Sequence, residues 1–320
     1  MEKITERSVV VSFLNAYLSI FRGFILLLFA GYWVPFSWAG FDVLENWGFE
    51  QGGGLRQGNF VGEDANLVLV DMAWDAERRR VAVAGALGDN WAARVYTMEA
   101  DGPVLLASWD GDSSIHHATV SALSWIPGSG RLACGVEHLV GDKMAVRIFT
   151  LDPDNNTSID FIDLPGWDSL IDLQGDPDPE TQGNLLALGT VSEGSKGQGQ
   201  CLSVNPVSKV LSNQLGTEKI EKPTGMTVLN GQIWIAGQAG KKGFVEAFQK
   251  DKGKKIGVRT LHDSYISGIE ASGDNVYLTG RLYDRKARGE LENFFLFSMR
   301  WNGKRSIEEL WSVLTKDVEN

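Results

Sequence analysis

Cysteine is almost missing from this chain: Cys134 and Cys201 are the two in 320 residues. That excludes a disulfide-dense scaffold and any zinc site built from four thiolates. Each reads as a small buried residue, although the two could pair in an oxidising compartment. Proline is sparse too, at 9 against 37 glycines, a balance that suits many tight turns between strands better than low-complexity sequence. No helical hydrophobic period appears after residue 40. The G-x-S-x-G, H-E-x-x-H, Walker A and G-x-G-x-x-G patterns do not occur in a context that would give them chemistry, and no cofactor is expected.

Basic charge is short as well, with 30 Lys and Arg against 41 Asp and Glu. The deficit is local: residues 40–216 carry ten basic and twenty-five acidic side chains, whereas residues 217–320 carry seventeen and fourteen. An acidic body repels phosphate backbones, so nucleic acid is not expected as a partner. The acidic stretch is either a solvated surface or a face that meets a basic partner.

What the chain does have, at its start, is one long apolar run. From Val9 to Trp38 the only charge is Arg22. In one reading Gly23–Val34 is the apolar region of a signal peptide, with Ser37-Trp38-Ala39 as a small-x-small cleavage site. In the other the segment stays as a membrane helix, with Tyr32, Trp33 and Trp38 at the interface. Ser12, Asn15, Ser19 and Arg22 are spaced three, four and three, which puts them on one helical face. A polar stripe of this kind packs against another membrane helix, since lipid offers it no hydrogen bonds, and this favours retention. Lys3, Arg7 and Arg22 precede the most apolar part, so the positive-inside bias puts the body on the extracytoplasmic side. Residues 1–39 are thus read as anchor or signal, and 40–66 as a linker with a candidate closing strand.

Over residues 67–320 the chain repeats. Five short apolar strands end in glycine: VAVAG at Gly85, RLACG at Gly135, LLALG at Gly189, IWIAG at Gly237 and VYLTG at Gly280. One further apolar run precedes each of these and two follow it. Four short strands form a twisted sheet that cannot bury both faces alone, so the copies must stack radially. The expected fold is all-β, a β-propeller of about five four-stranded blades, with Phe41–Asn66 able to add a closing strand or a degenerate sixth.

The stretch His116–Gly135 resembles the first two strands of a WD40 blade: a His, an apolar-Ser-Trp strand, a Pro-Gly turn and an apolar strand. Val70–Gly85 is similar but lacks the His. The family's Trp-Asp should close the third strand, yet those strands end in Met98-Glu99 and Leu151-Asp152. The last two blades look more like the loose repeats of bacterial extracytoplasmic propellers. The resemblance implies architecture and no activity.

Chemistry has to be sought residue by residue. A propeller glycosidase needs two or three carboxylates converging at the central funnel. The first strands offer Asp71, Ser121, Asp172, Thr224 and Ser267 near equivalent places, only two of them acids. Asp172, Asp176, Asp178 and Glu180 form the densest acidic cluster, with oxygen ligands suited to calcium but without the spacing of an EF-hand loop. His116 and His117 are adjacent on a strand and so point to opposite faces. Trp74, Trp125, Trp234 and Trp301 lie in apolar strands and are expected in the core. With no catalytic set, the leading expectation is a non-catalytic scaffold subunit of a membrane protein complex, attached through residues 9–38. The competing expectation is a secreted carbohydrate-active propeller, either glycosidase or lectin.

Overall fold

The five glycine-ended runs are the second strands of five antiparallel sheets. The computed structural model describes residues 67–315 except 89, 100–101, 112–117, 157–158, 179–182, 192–197, 284–290 and 304–306. The N-terminal stripe Ser12, Asn15, Ser19 and Arg22, the linker 40–66, the His116-His117 pair and Glu180 lie outside the described residues.

Blade one contains β1 (Leu67–Asp75), β2 (Arg80–Leu87), β3 (Asn90–Glu99) and β4 (Gly102–Asp110). Blade two follows with β5 (Thr119–Trp125), β6 (Leu132–Val140), β7 (Lys143–Leu151) and β8 (Ile159–Leu164). Blade three has β9 (Trp167–Gly175), β10 (Leu185–Val191), β11 (Gln198–Asn205) and β12 (Val210–Gly216). Blade four has β13 (Lys222–Leu229), β14 (Gln232–Ala239), β15 (Lys242–Gln249) and β16 (Lys254–His262). Blade five has β17 (Ser264–Ser272), β18 (Asn275–Tyr283), β19 (Leu291–Trp301) and β20 (Ile307–Thr315). Every sheet runs in sequence order. No helix occurs among the described residues.

The second strands are apolar because both faces of each sheet are covered. β14 has six consecutive buried residues and β10 five, so these strands read as continuous apolar runs and not as alternating ones. The core lies between blades. Trp109 and Val95 of blade one share a cluster with Leu123 and Phe149 of blade two, and Trp91 stacks on Phe149 at 4.8 Å between ring centroids. Equivalent clusters join blades two and three, three and four, and four and five.

Each first strand carries a β-bulge beside the repeat glycine. The extra residues are Val70, Ser121, Ile171, Thr224 and Ser267. A bulge bends its strand and sharpens the twist, as an inner strand near the axis requires. It also explains the glycine. A Cβ on Gly85 would lie 1.8 Å from the Val68 carbonyl oxygen, and one on Gly280 would lie 2.1 Å from that of Tyr265. At Gly135 the pressure comes from the next blade, where Leu170 Cδ2 would lie 2.0 Å away. Among the turns, Asn230 (φ 51°) and Gly231 (φ 69°) both adopt the left-handed conformation, as the tight hairpin between β13 and β14 demands.

Candidate functional site: interblade clasps and an acidic loop

The first strands of successive blades lie side by side, and polar side chains on them bond across each junction. Asp71 Oδ2 on β1 accepts a hydrogen bond from the Leu123 N–H on β5 at 2.7 Å. Its Oδ1 accepts from the N–H of Met72 at 2.8 Å. At the next junction Ser124 Oγ accepts from the Gly175 N–H at 2.8 Å, and Glu137 Oε1 on β6 accepts from the Leu170 N–H at 2.7 Å. Asp172 Oδ2 on β9 accepts from the Met226 N–H on β13 at 3.0 Å. Finally, Thr227 Oγ1 accepts from the Ala271 N–H on β17 at 3.0 Å. Each first strand ends its sheet and pairs on one side only, and these side chains satisfy N–H groups that the ladder leaves open.

Strand register separates the five first-strand positions that the sequence aligned. Asp71 lies opposite Ala84 and Asp172 opposite Leu188, each facing the residue before a repeat glycine. Their counterparts are Leu123, Gly225 and Gly268. Ser121, Thr224 and Ser267 are the bulged residues instead. Two acids therefore share a level with one leucine and two glycines, and each acid bonds the backbone of the following blade. The thiols of Cys134 and Cys201 are fully buried, and burial, reinforced by Asp71 and Asp172 respectively, pushes both far above the ordinary thiol range. Thiols held protonated in this way are inert as nucleophiles.

The acidic cluster is divided. Asp172 belongs to the junction between blades three and four, whereas Asp176 and Asp178 converge on Lys250, from the turn after β15. The Lys250 ammonium donates to Asp176 Oδ1 at 2.7 Å and Oδ2 at 2.9 Å, and to Asp178 Oδ2 at 3.0 Å. Asp176 is 2% exposed and Lys250 12%, so this is a largely buried, charge-assisted set. Burial works against the ammonium, but the Asp176 and Asp178 carboxylates outweigh it and hold Lys250 above the usual lysine range. An ammonium thus stands between two of the acids considered for calcium, and among the described residues no group of three or more acids, histidines and cysteines converges with metal-site geometry.

Sequence reading did not single out Glu246, whose signal is a lone acid in the apolar strand β15. It is completely buried. It accepts from the N–H groups of Glu218 at 2.9 Å and Lys219 at 3.2 Å, tying down the link between blades three and four. Burial raises its carboxyl above the ordinary range, against the pull of those N–H groups and of Lys255. Lys250 was missed because it lies 74 residues from Asp176.

Of the tryptophans expected in the core, Trp234 is 1% exposed, while Trp74, Trp125 and Trp301 are only partly buried. Trp91, Trp109 and Trp167 are buried as well. A cleft of about 380 Å³ brings Trp301 beside Asp178 and Asp251, and another of about 390 Å³ is lined by Trp167, Gln200 and Gln214.

No protein-family model matches this sequence, and no curated protein does. Solved structures do match. The structure described as Kuenenia stuttgartiensis hydrazine synthase aligns with a TM-score of 0.59 at 10% identity, over 82% of this chain and 69% of that one. A structure of U3-55K gives 0.52 at 10% identity, over 75% and 65%. The crystal structure of the RRP9 WD40 repeats gives 0.51 at 11%, over 75% and 64%. This chain therefore spans slightly less than two thirds of those two WD40 chains. At such identities the likeness establishes the fold alone: the chain is a β-propeller, with five four-stranded blades among the described residues.

Proposed function

We propose that the chain is a non-catalytic interaction scaffold, held at the extracytoplasmic face of a membrane through residues 9–38 and acting as a subunit of a larger membrane protein complex. The observation that carries this reading is the use made of the acids. Asp71 and Asp172 fasten blade to blade, and Asp176 and Asp178 enclose a lysine. Carboxylates that a hydrolytic reading would require at the funnel are structural parts of a rigid ring.

Two surface features support a partner on the first three blades. The acidic excess falls in residues 40–216. Among the described residues, most of the exposed large apolar side chains lie there too, including Leu105 and Val104 on the outer strand β4, Val140, Val207 and, on β12, Val210. Apolar groups set in an acidic field suit a partner with basic and apolar residues together. The polar stripe Ser12, Asn15, Ser19 and Arg22 gives the anchor a face for a second membrane helix.

Sequencing the N-terminus of the mature protein tests the anchor. Retention of Val9–Trp38 agrees with the proposal, whereas a start at Gly40 contradicts it. With the segment present, leucine at Ser12, Asn15 and Ser19 should preserve insertion and weaken assembly. Unchanged assembly would remove the stripe from the account.

A further inference from the structure

Four junctions between blades are filled by apolar clusters, but among the described residues none joins blade five to blade one. The two walls that face this seam follow from strand alternation. In blade one Ala82, Ala84 and Ala93 point to blade two, so Val83 and Ala92 point the other way. There they form a small cluster with Leu67, flanked by Met72 and Tyr96. In blade five Phe295, Phe297 and Met299 point to blade four, which turns Leu296 and Ser298 toward the seam.

Both walls are dry. Leu67, Val83, Ala92 and Ser298 are 0% exposed and Leu296 is 3% exposed. The stretches between strands that lie outside the described residues are of seven residues or fewer. Only the region before Leu67 is long enough to cover two sheet faces, and the chain enters β1 at the seam itself.

We propose that Phe41–Asn66 occupies the seam between the first and fifth blades and closes the ring. This segment of 26 residues holds Val43, Leu44, Trp47, Phe49, Phe60 and Val61, enough apolar surface to face both walls. A complete blade takes more chain, since β1 to β4 run from Leu67 to Asp110, so the segment contributes a partial blade. Its place makes the linker from residue 40 onward a structural part of the propeller, and any anchor ahead of it is then fixed to the ring at one point. This inference does not depend on the membrane reading.

A benzophenone amino acid in place of Trp47 or Phe60 of the full-length chain, irradiated in a mixture of heavy- and light-isotope copies, tests the placement. The expected adducts are within one chain, to residues 67–99 or 275–301. Adducts only to other blades, or only between heavy and light copies, would overturn the proposal. The second of these outcomes would instead identify another copy of the chain as the occupant. Trp47→Ser combined with Phe49→Ser should speed amide exchange at Val83 and Leu296 by about tenfold or more, as local opening of a junction does, and leave Leu170 unchanged. Equal exchange at both junctions in variant and parent would also overturn it. If the double variant does not fold, the cross-linking result decides.

Discussion

The Asp71 carboxylate on the first strand of blade one accepts a 2.7 Å hydrogen bond from the backbone N–H of Leu123 on the first strand of blade two. Asp172 makes the corresponding bond to Met226 two blades later. Two acids that look like funnel-lining residues in the sequence are thus fasteners between sheets.

Removing either fastener leaves a buried backbone N–H, of Leu123 or Met226, without its side-chain acceptor. Asp71→Ala and Asp172→Ala should each cost about 1–3 kcal/mol in denaturant unfolding, the penalty for an unsatisfied buried donor. The two act at different junctions, so the double variant should show an additive loss. Asp71→Asn keeps an acceptor oxygen and should recover most of it. Loss of an enzymatic activity by several orders of magnitude, with stability intact, would instead assign these acids to catalysis.

The repeat glycine is tested by a pair of substitutions. Gly85→Ala drives a methyl into the Val68 carbonyl, whereas at Gly216 a Cβ meets nothing within 4 Å. The first should cost at least the ~1–3 kcal/mol of an overpacked core, because the obstacle is backbone and cannot rotate away. The second should be close to neutral. Equal effects in thermal unfolding would refute the bulge explanation.

Much of this architecture was legible in the sequence. The five glycine-ended runs are β2, β6, β10, β14 and β18, and the runs around them match the other strands. They were readable because sheets buried on both faces write long apolar runs between turn residues. The bulges were not readable. A single extra residue such as Ser121 leaves the hydrophobic pattern almost intact, yet it shifts which side chain faces the axis. For the same reason Asp71 and Asp172 were aligned with serines and a threonine that lie at another level. The Lys250 contact required the fold itself, since two blades bring it to Asp176.

Lys250→Met should leave Asp176 buried without its cation, at a cost of about 3–5 kcal/mol. Adding Asp176→Asn and Asp178→Asn should recover part of the loss. The pH dependence has a definite sign. The native ammonium titrates above the ordinary value of 10.5, so its contribution is complete below that pH and disappears as pH rises through the raised native value. The stability difference between parent and Lys250→Met should therefore be constant through neutral pH and, on the alkaline side, shrink only in strong alkali. A difference that vanished near pH 7 would contradict the ion-pair assignment.

The most direct test of the scaffold account is the mass of the native protein, extracted from its own membrane in mild detergent, at low and high salt. The chain alone has a mass of 35.1 kDa. The account predicts an assembly well above that mass at low salt, containing at least one other membrane protein. It should loosen as salt is raised, because exposed charges are screened over ~8–10 Å near physiological ionic strength. Lysine at Val104 and Leu105 on β4 should weaken it further. A single 35.1 kDa chain at every salt concentration, with no companion protein, would contradict the account.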